Sequence, residues 1–90
     1  MGKLESTIQR EIIIYLERYG WYVVKLIQTN KNGLPDLMAI KEGKSVFIEC
    51  KRDKEKARPL QKYRIKELND YGVLAFVAHS VEEVKIRLCI

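Results

Sequence analysis

Hydrophobic side chains recur along the chain at two spacings, one typical of helices and one typical of strands. Apolar residues three or four positions apart predict a helix over residues 3–19, which ends at Gly20. A second helical stripe predicts a helix that starts at Pro59 and stops before Gly72. Four shorter apolar runs predict strands at 21–27, 36–40, 46–51 and 73–78.

The last segment of the chain fits two structures. Ser80 and Glu83 have the spacing of a capping box, which predicts a final helix. Residues 84–90 also alternate as a strand does, so both assignments stay open there. With the helix, the order α-β-β-β-α-β-α predicts an α/β fold with a mixed sheet flanked by helices. We expect the first two helices to cover opposite faces, with a right-handed crossover if the last two strands are parallel.

Two of the predicted strands flank a short polar break and form a β-hairpin. If the loop has two residues, Glu42 and Gly43, counting back along both strands places Asp36 directly opposite Glu49. The Cβ atoms of such a pair lie roughly 4.5–5.5 Å apart. Two carboxylates at that distance repel each other unless a proton or a cation intervenes, and a hard divalent cation with oxygen ligands would relieve the repulsion. Lys51 shares the face of Glu49, because side chains alternate along a strand.

Two further polar residues stand at the head of apolar helical stripes. Glu5 either extends the core-facing stripe of the first helix or is a first-turn acid that the helix dipole stabilises, and the pattern does not separate these readings. Gln61 begins the stripe of the second helix. The pattern alone favours a capping or rim amide at Gln61 over a residue of a functional site.

Length and composition bound the class of protein. The 90 residues fit a single domain, residues 1–90, with a modest core. The 47% hydrophobic and 32% charged fractions are those of a folded protein rather than a disordered one. The net charge of +5 and the pI near 9.3 indicate a polyanionic partner.

Several classes of site lose support. No apolar run approaches the roughly 20 residues that span a bilayer, and no signal-peptide pattern opens the chain, so we expect a cytoplasmic protein with no membrane partner. Cys50 and Cys89 are too few for a zinc site or a disulfide framework, and both are expected to be buried. A single histidine, His79, argues against histidine-based metal sites and Ser-His catalysis.

Pro35-Asp36 followed by Glu49-Cys50-Lys51 resembles the PD-(D/E)XK nuclease signature. The residues around Asp36, with Glu5 upstream and Gln61 downstream, are more narrowly similar to the virus-type replication-repair nuclease (VRR-NUC) family, in its standalone phage-type form. The resemblance spans nearly the whole chain. It implies a restriction-endonuclease-like core and no organic cofactor.

The same resemblance implies roles for the site residues. Mg²⁺, with Mn²⁺ as a substitute, would be held by Asp36, Glu49 and the backbone carbonyl of Cys50, and Glu5 would bind it directly or through water. Lys51 would orient the attacking water or stabilise the transition-state charge, and these two roles stay open. Gln61 would lie beside the active site.

Basic residues begin at this site and continue onto the second helix. Such a run is usually just a solvated face, and Asp53 and Glu55 dilute this one, but its adjacency to the acids favours a track for the phosphate backbone. The candidate DNA-binding residues are Lys31, Arg52, Lys54, Lys56, Arg58 and Lys62, and the basic run continues through Arg64 and Lys66. No recognition-helix or zinc-finger pattern is present, so we expect recognition of backbone shape.

The leading hypothesis is a Mg²⁺-dependent endonuclease of branched DNA that resolves Holliday junctions. Two symmetric nicks imply a homodimer. Four aromatic residues are candidates either for the dimer contact or for the core: Trp21, Tyr22, Tyr63 and Tyr71. A restriction-type or flap-processing nuclease of the same superfamily is one alternative. A non-catalytic basic DNA-binding module is the other.

Overall fold

The computed structural model of the protein describes residues 2–90, so the first residue of the expected domain, Met1, lies outside the described residues. The elements follow the predicted order: α1 Glu5–Arg18, β1 Tyr22–Lys25, β2 Leu37–Lys41, β3 Lys44–Cys50, α2 Pro59–Asp70, β4 Leu74–Ala78 and α3 Val81–Leu88. The C-terminal ambiguity resolves to a helix. Ser80 Oγ accepts a hydrogen bond from the Glu83 amide at 3.2 Å, as the capping pattern predicts.

The four strands form one mixed sheet in the order β1-β2-β3-β4. β2 and β3 are antiparallel, and Lys41 pairs with Lys44 across a two-residue turn, which confirms the predicted hairpin. Both turn residues have positive φ, 51° at Glu42 and 79° at Gly43, as a type I′ hairpin turn requires. β3 and β4 are parallel, and α2 lies in the connection between them.

The two faces of the sheet are covered differently. On one face, α1 and α3 pack on alternate strand residues to form the core, to which α1 contributes Ile8, Ile12 and Leu16. On the other face, α2 packs beside β4, where the Asn69 side chain bonds both backbone groups of Ala75. The first two helices therefore lie on opposite faces, as predicted.

The remaining part of the α2 face is apolar and open. Strand pairing places five hydrophobic side chains together there, each half-buried or exposed: Tyr22, Val24, Met38, Ile40 and Phe47. We call this set the open sheet face.

The structure differs from the sequence-based predictions at a few positions. The first helix, predicted to reach Tyr19, ends at Arg18, and Tyr19 is 53% exposed. Cys89 is exposed, since it ends α3 in a left-handed conformation with φ 58°. β1 ends at Lys25, two residues before the predicted end at Ile27. One further bond joins the Leu26 amide to the Asp36 carbonyl at 2.8 Å, beyond the last paired residues Lys25 and Leu37.

Candidate active site

Three acidic side chains from three separate elements converge at one end of the sheet. Glu5 is the first residue of α1, Asp36 immediately precedes β2, and Glu49 is the second-last residue of β3. Leu37 pairs with Ile48, so Asp36 follows opposite Glu49, as the two-residue turn predicts. One carboxylate oxygen from each of the three acids lies within 4.8 Å of the others.

The backbone of β3 holds Asp36 in place. The Cys50 amide donates a hydrogen bond to Asp36 Oδ2 at 2.9 Å, where a longer β2 would have offered a backbone carbonyl. The amide and carbonyl of one strand residue point towards the same neighbouring strand. The Cys50 carbonyl therefore lies on the side of Asp36. The Cys50 thiol is buried, and burial, with the charge of Asp36 as the second cause, raises its pKa.

Glu49 is the most constrained of the three acids. Its side chain is 1% exposed, and its Oε2 accepts a hydrogen bond from Gln61 Nε2 at 3.1 Å. Its Oε1 is buried and has no hydrogen-bond partner among residues 2–90. Burial and repulsion by Asp36 raise the pKa of Glu49 to about 7, although Lys51 opposes that shift. A buried carboxylate with one free oxygen is costly unless a proton or a cation satisfies it.

Lys51 supplies the positive charge closest to these acids. Its Nζ lies 3.6 Å from Glu49 Oε2, and its side chain is almost fully buried. Three carboxylates against one ammonium leave a net charge of −2 when all are ionised. Carboxylate oxygens are the ligands that Mg²⁺ and Mn²⁺ prefer. The donor set, the free Oε1 and the uncompensated charge therefore fit a divalent cation.

Gln61 both caps the second helix and contacts the acidic cluster, the two roles that its sequence position left open. Its Nε2 donates to Glu49, and its Oε1 accepts from the Arg58 amide at 2.8 Å, which caps the start of α2. The capping bond fixes the amide group, because its oxygen must face the backbone. Its nitrogen then faces Glu49, so one side chain links the start of α2 to the acidic cluster.

The predicted DNA-binding residues all lie on the surface: Lys31, Arg52, Lys54, Lys56, Arg58 and Lys62. Arg52 pairs with Glu55 at 3.4 Å within the connector 51–58 that joins the site to α2. Two members of the longer basic run are used elsewhere. Arg64 pairs with Glu67, and its Nε donates to the Asn32 carbonyl at 2.8 Å. Lys66 pairs with Asp70.

His79 anchors the connector 51–58, a role that was not predicted from the sequence. Its Nε2 lies 2.7 Å from the Glu55 carbonyl, and its Nδ1 lies 2.9 Å from Glu83 Oε1. The bond to Glu55 is the main cause that raises the pKa of His79, and burial opposes it. Burial raises the pKa of Glu83, but the bonds from His79 outweigh it and lower that pKa overall. The i, i+4 spacing of His79 and Glu83 was the available sequence signal.

Of the predicted dimer contacts, Trp21 packs against the core, whereas Tyr22, Tyr63 and Tyr71 are exposed.

Within residues 2–90, every helix is too short or too polar to cross a membrane.

Comparisons with known proteins agree with this arrangement. One solved structure described as a VRR_NUC domain superposes with a TM-score of 0.82 and 27% identity, covering 93% of this chain and 92% of its own. A second, described as a VRR_NUC domain protein, has the same fold with a TM-score of 0.79, covering 99% of this chain and 88% of its own, at 24% identity. These matches confirm the resemblance to VRR-NUC domains and the restriction-endonuclease-like fold.

Two comparisons of sequence show the family. The p44 protein of Acyrthosiphon pisum secondary endosymbiont phage 1, described as a candidate nuclease, is 30% identical over 78 residues, which are 86% of this chain and 77% of p44. The model of the archaeal Holliday junction resolvase (Hjc) family matches residues 3–87. The chain therefore belongs to the archaeal Holliday junction resolvase family of nucleases.

Proposed function

We propose that this protein is a divalent-metal-dependent endonuclease that cuts branched DNA, including four-way junctions, as a homodimer. One observation carries the proposal: Glu5, Asp36 and Glu49 converge within 4.8 Å, and a buried oxygen of Glu49 has no partner among residues 2–90. A folding role does not account for that arrangement, since three clustered acids destabilise the folded chain. Membership of a family named for Holliday junction resolution supports the substrate class.

The proposed cation is Mg²⁺, with Mn²⁺ as a substitute. Asp36, Glu49 and the Cys50 carbonyl would hold it, and Glu5 would contribute directly or through water. When bound, such an ion lowers the pKa of a water molecule and stabilises charge on the phosphate. The chain supplies orientation, because the Cys50 amide fixes Asp36 and Gln61 fixes Glu49.

Lys51 is the proposed partner of the reacting phosphate. Its buried ammonium is held beside Glu49 rather than in bulk water. There it stabilises negative charge that develops on the phosphate oxygens or orients the attacking water by a hydrogen bond. Burial strengthens either interaction, because the surrounding water that would screen it is absent.

The exposed cations would contact DNA on both sides of this site. The connector 51–58 carries Arg52, Lys54, Lys56 and Arg58, and Lys62 follows them on α2. Lys31 lies in the loop before Asp36 and would contact the opposite flank. These side chains neutralise backbone phosphates and position the strand without reading the sequence of its bases.

The open sheet face supports the proposed homodimer. Its five apolar side chains are neighbours by strand pairing, four of them half-buried, and Tyr22 is 70% exposed. A second copy packed there about a twofold axis would bury it and would give the assembly two active sites. Two sites are what symmetric cleavage of a four-way junction needs. The p44 relative supports a phage origin and action in the host cytoplasm as part of the same proposal.

The central experiment incubates the protein with four-way junctions, flaps and linear duplex, with and without Mg²⁺. Symmetric nicks in junctions that require the metal support the proposal. Preference for flaps or indiscriminate cutting indicates the restriction-type or flap-processing alternative, and metal-independent binding without cleavage indicates a DNA-binding module. Asp36→Ala and Glu49→Ala are expected to abolish cleavage and to keep DNA binding in gel shifts. Variants that cut at the wild-type rate would remove these acids from the active site.

The oligomeric state has its own test. Ile40→Glu places a charge in the open sheet face, whereas Ile86→Glu places the same charge on α3 at a side chain that is already 74% exposed. Sedimentation should show a dimer for the wild type and for Ile86→Glu, and a monomer for Ile40→Glu. A dimer in all three samples would place the subunit contact elsewhere.

A further inference from the structure

Ile27 is exposed to solvent at a place where the rest of the surface is polar. Its side chain is 86% exposed, more than any other large hydrophobic residue within residues 2–90. The five residues that follow it, from Gln28 to Asn32, are all polar and exposed. Single exposed apolar side chains are common on protein surfaces, so any role for Ile27 must be argued from what surrounds it.

Ile27 lies at the same end of the sheet as the acidic cluster. The Leu26 amide bonds the Asp36 carbonyl at 2.8 Å, and Ile27 is the next residue along the chain. Adding one Cα step of about 3.8 Å to a cross-strand separation of about 5.5 Å gives an upper limit of about 9 Å between the Cα atoms of Ile27 and Asp36. Bases along one DNA strand rise about 3.4 Å per step. The Cα atoms of Ile27 and Asp36 are therefore separated by no more than about three base steps of one DNA strand.

The loop that carries Ile27 is anchored to α2. Arg64 Nε bonds the Asn32 carbonyl at 2.8 Å, and Thr29 Oγ1 bonds the Lys31 carbonyl at 2.7 Å. At Gly33, an added Cβ would lie 2.6 Å from Leu60 Cγ, so the loop and the helix are in close contact. An anchored loop can hold an apolar side chain against a substrate without first having to become ordered.

The charges around Ile27 indicate which substrate covers it. Lys25 precedes it by two residues, Lys31 follows it by four, and both are exposed. A second protein subunit would need an apolar surround, which is present at the open sheet face instead. An exposed hydrophobic side chain between cations fits a nucleic acid, whose phosphates pair with lysines and whose base faces are apolar.

We propose that Ile27 is a wedge that inserts against the bases at a DNA branch point and so determines the preference for branched over linear substrates. The inference rests on the proposed function. An apolar side chain can enter a continuous duplex only by unstacking two bases. A branch point already presents unstacked base faces, so insertion there costs less free energy. The same side chain therefore favours junctions and disfavours linear duplex.

The test compares Ile27→Ser and Ile27→Leu with the control Ile86→Ser, which makes the same chemical change at a side chain exposed to 74% on α3. The first readout is the fluorescence of 2-aminopurine placed at the branch point, measured on binding without metal. The second is the ratio of kcat/KM on a four-way junction to that on linear duplex, measured with Mg²⁺. Thermal melting should not change, because the Ile27 side chain buries little surface.

Ile27→Ser is expected to lower the kcat/KM ratio about tenfold, the size expected when one apolar contact is lost, and to abolish the change in fluorescence that the wild type produces on binding. Ile27→Leu should retain both signals, and Ile86→Ser should match the wild type. Wild-type behaviour of Ile27→Ser, or an equal loss in Ile86→Ser, would overturn the inference. A change in sedimentation of Ile27→Ser would also overturn it, by placing Ile27 at a subunit contact. A wild-type protein that binds junctions but cuts none would instead refute the proposed function, and the fluorescence would still decide the role of Ile27.

Discussion

Replacing the buried Glu49 by glutamine tests the electrostatics of the site without any DNA. The folded chain raises the pKa of this carboxyl from 4.5 to about 7, chiefly by burial and secondly by the charge of Asp36. The folded state therefore holds the proton more tightly than the unfolded chain does. In metal-free buffer, stability should fall as pH rises from 4.5 towards 7 and should level off above that range.

The size of this effect follows from the difference between the two pKa values. At 1.36 kcal/mol for each unit of pKa, ionisation of Glu49 costs about 3 kcal/mol of folding free energy. A domain of this size shifts its melting temperature by about 4–8 °C for each kcal/mol. Glu49→Gln removes the ionisation and keeps an oxygen for the bond from Gln61. The variant should therefore melt above the wild type at pH 8 by about 12–24 °C.

The assay is thermal unfolding by circular dichroism from pH 5 to pH 8.5 in EDTA, with Glu17→Gln, an exposed site on α1, as the matched control. The informative quantity is the difference between wild type and variant, because other acids also titrate in the unfolded chain. Added Mg²⁺ should stabilise the wild type at pH 8 and leave Glu49→Gln nearly unchanged. A difference that stays flat across this pH range would refute the account of Glu49.

Three further changes have definite outcomes. Replacing the connector cations Lys54, Lys56 and Arg58 should weaken DNA binding and make the negative slope of log K against log[salt] shallower by about 2 to 3. An unchanged slope in a salt titration would exclude these residues from the phosphate track. His79→Ala should accelerate tryptic cleavage within 51–58. The stability that His79 adds should be present below its ordinary pKa of 6.5 and should be lost as the pH rises through its raised pKa in the folded state. A difference in melting temperature between wild type and variant that does not depend on pH would contradict the anchoring role. Gly33→Ala should destabilise the chain by about 1–3 kcal/mol more than Gly43→Ala. Both positions have positive φ, but only at Gly33 would an added Cβ press against Leu60. Equal losses of stability in chemical denaturation would contradict this contact.

Local pattern was enough to predict the pairing of the central hairpin. A two-residue turn sets the register of both strands, so the approach of Asp36 to Glu49 followed from counting residues. Glu5 was different, because helical periodicity places it on a stripe but does not say where the helix docks. The start of α1 lies over the ends of β2 and β3, and only the tertiary arrangement brings its carboxylate to the other two.

Other parts of the site depend on bonds between residues far apart in sequence. Arg64 belonged to the predicted basic run, yet it bonds a loop carbonyl 32 residues away. His79 bonds a carbonyl of the connector 24 residues away. Neither partner is visible from composition or spacing, because a backbone carbonyl carries no sequence signal. Exposed charge can be read from a sequence, whereas the charges that brace a loop cannot.

The two-residue turn at Glu42 and Gly43 has a consequence for how relatives of this chain can diverge. Surface loops usually accept insertions readily. One extra residue here would either form a bulge or shift the register by one, which would turn Glu49 away from Asp36 and place Ile48 or Cys50 opposite Asp36. The connector 51–58 carries no such constraint, since no strand pairing is counted across it. Homologous sequences should therefore vary in length at the connector and keep this turn at two residues, even where the turn residues themselves change.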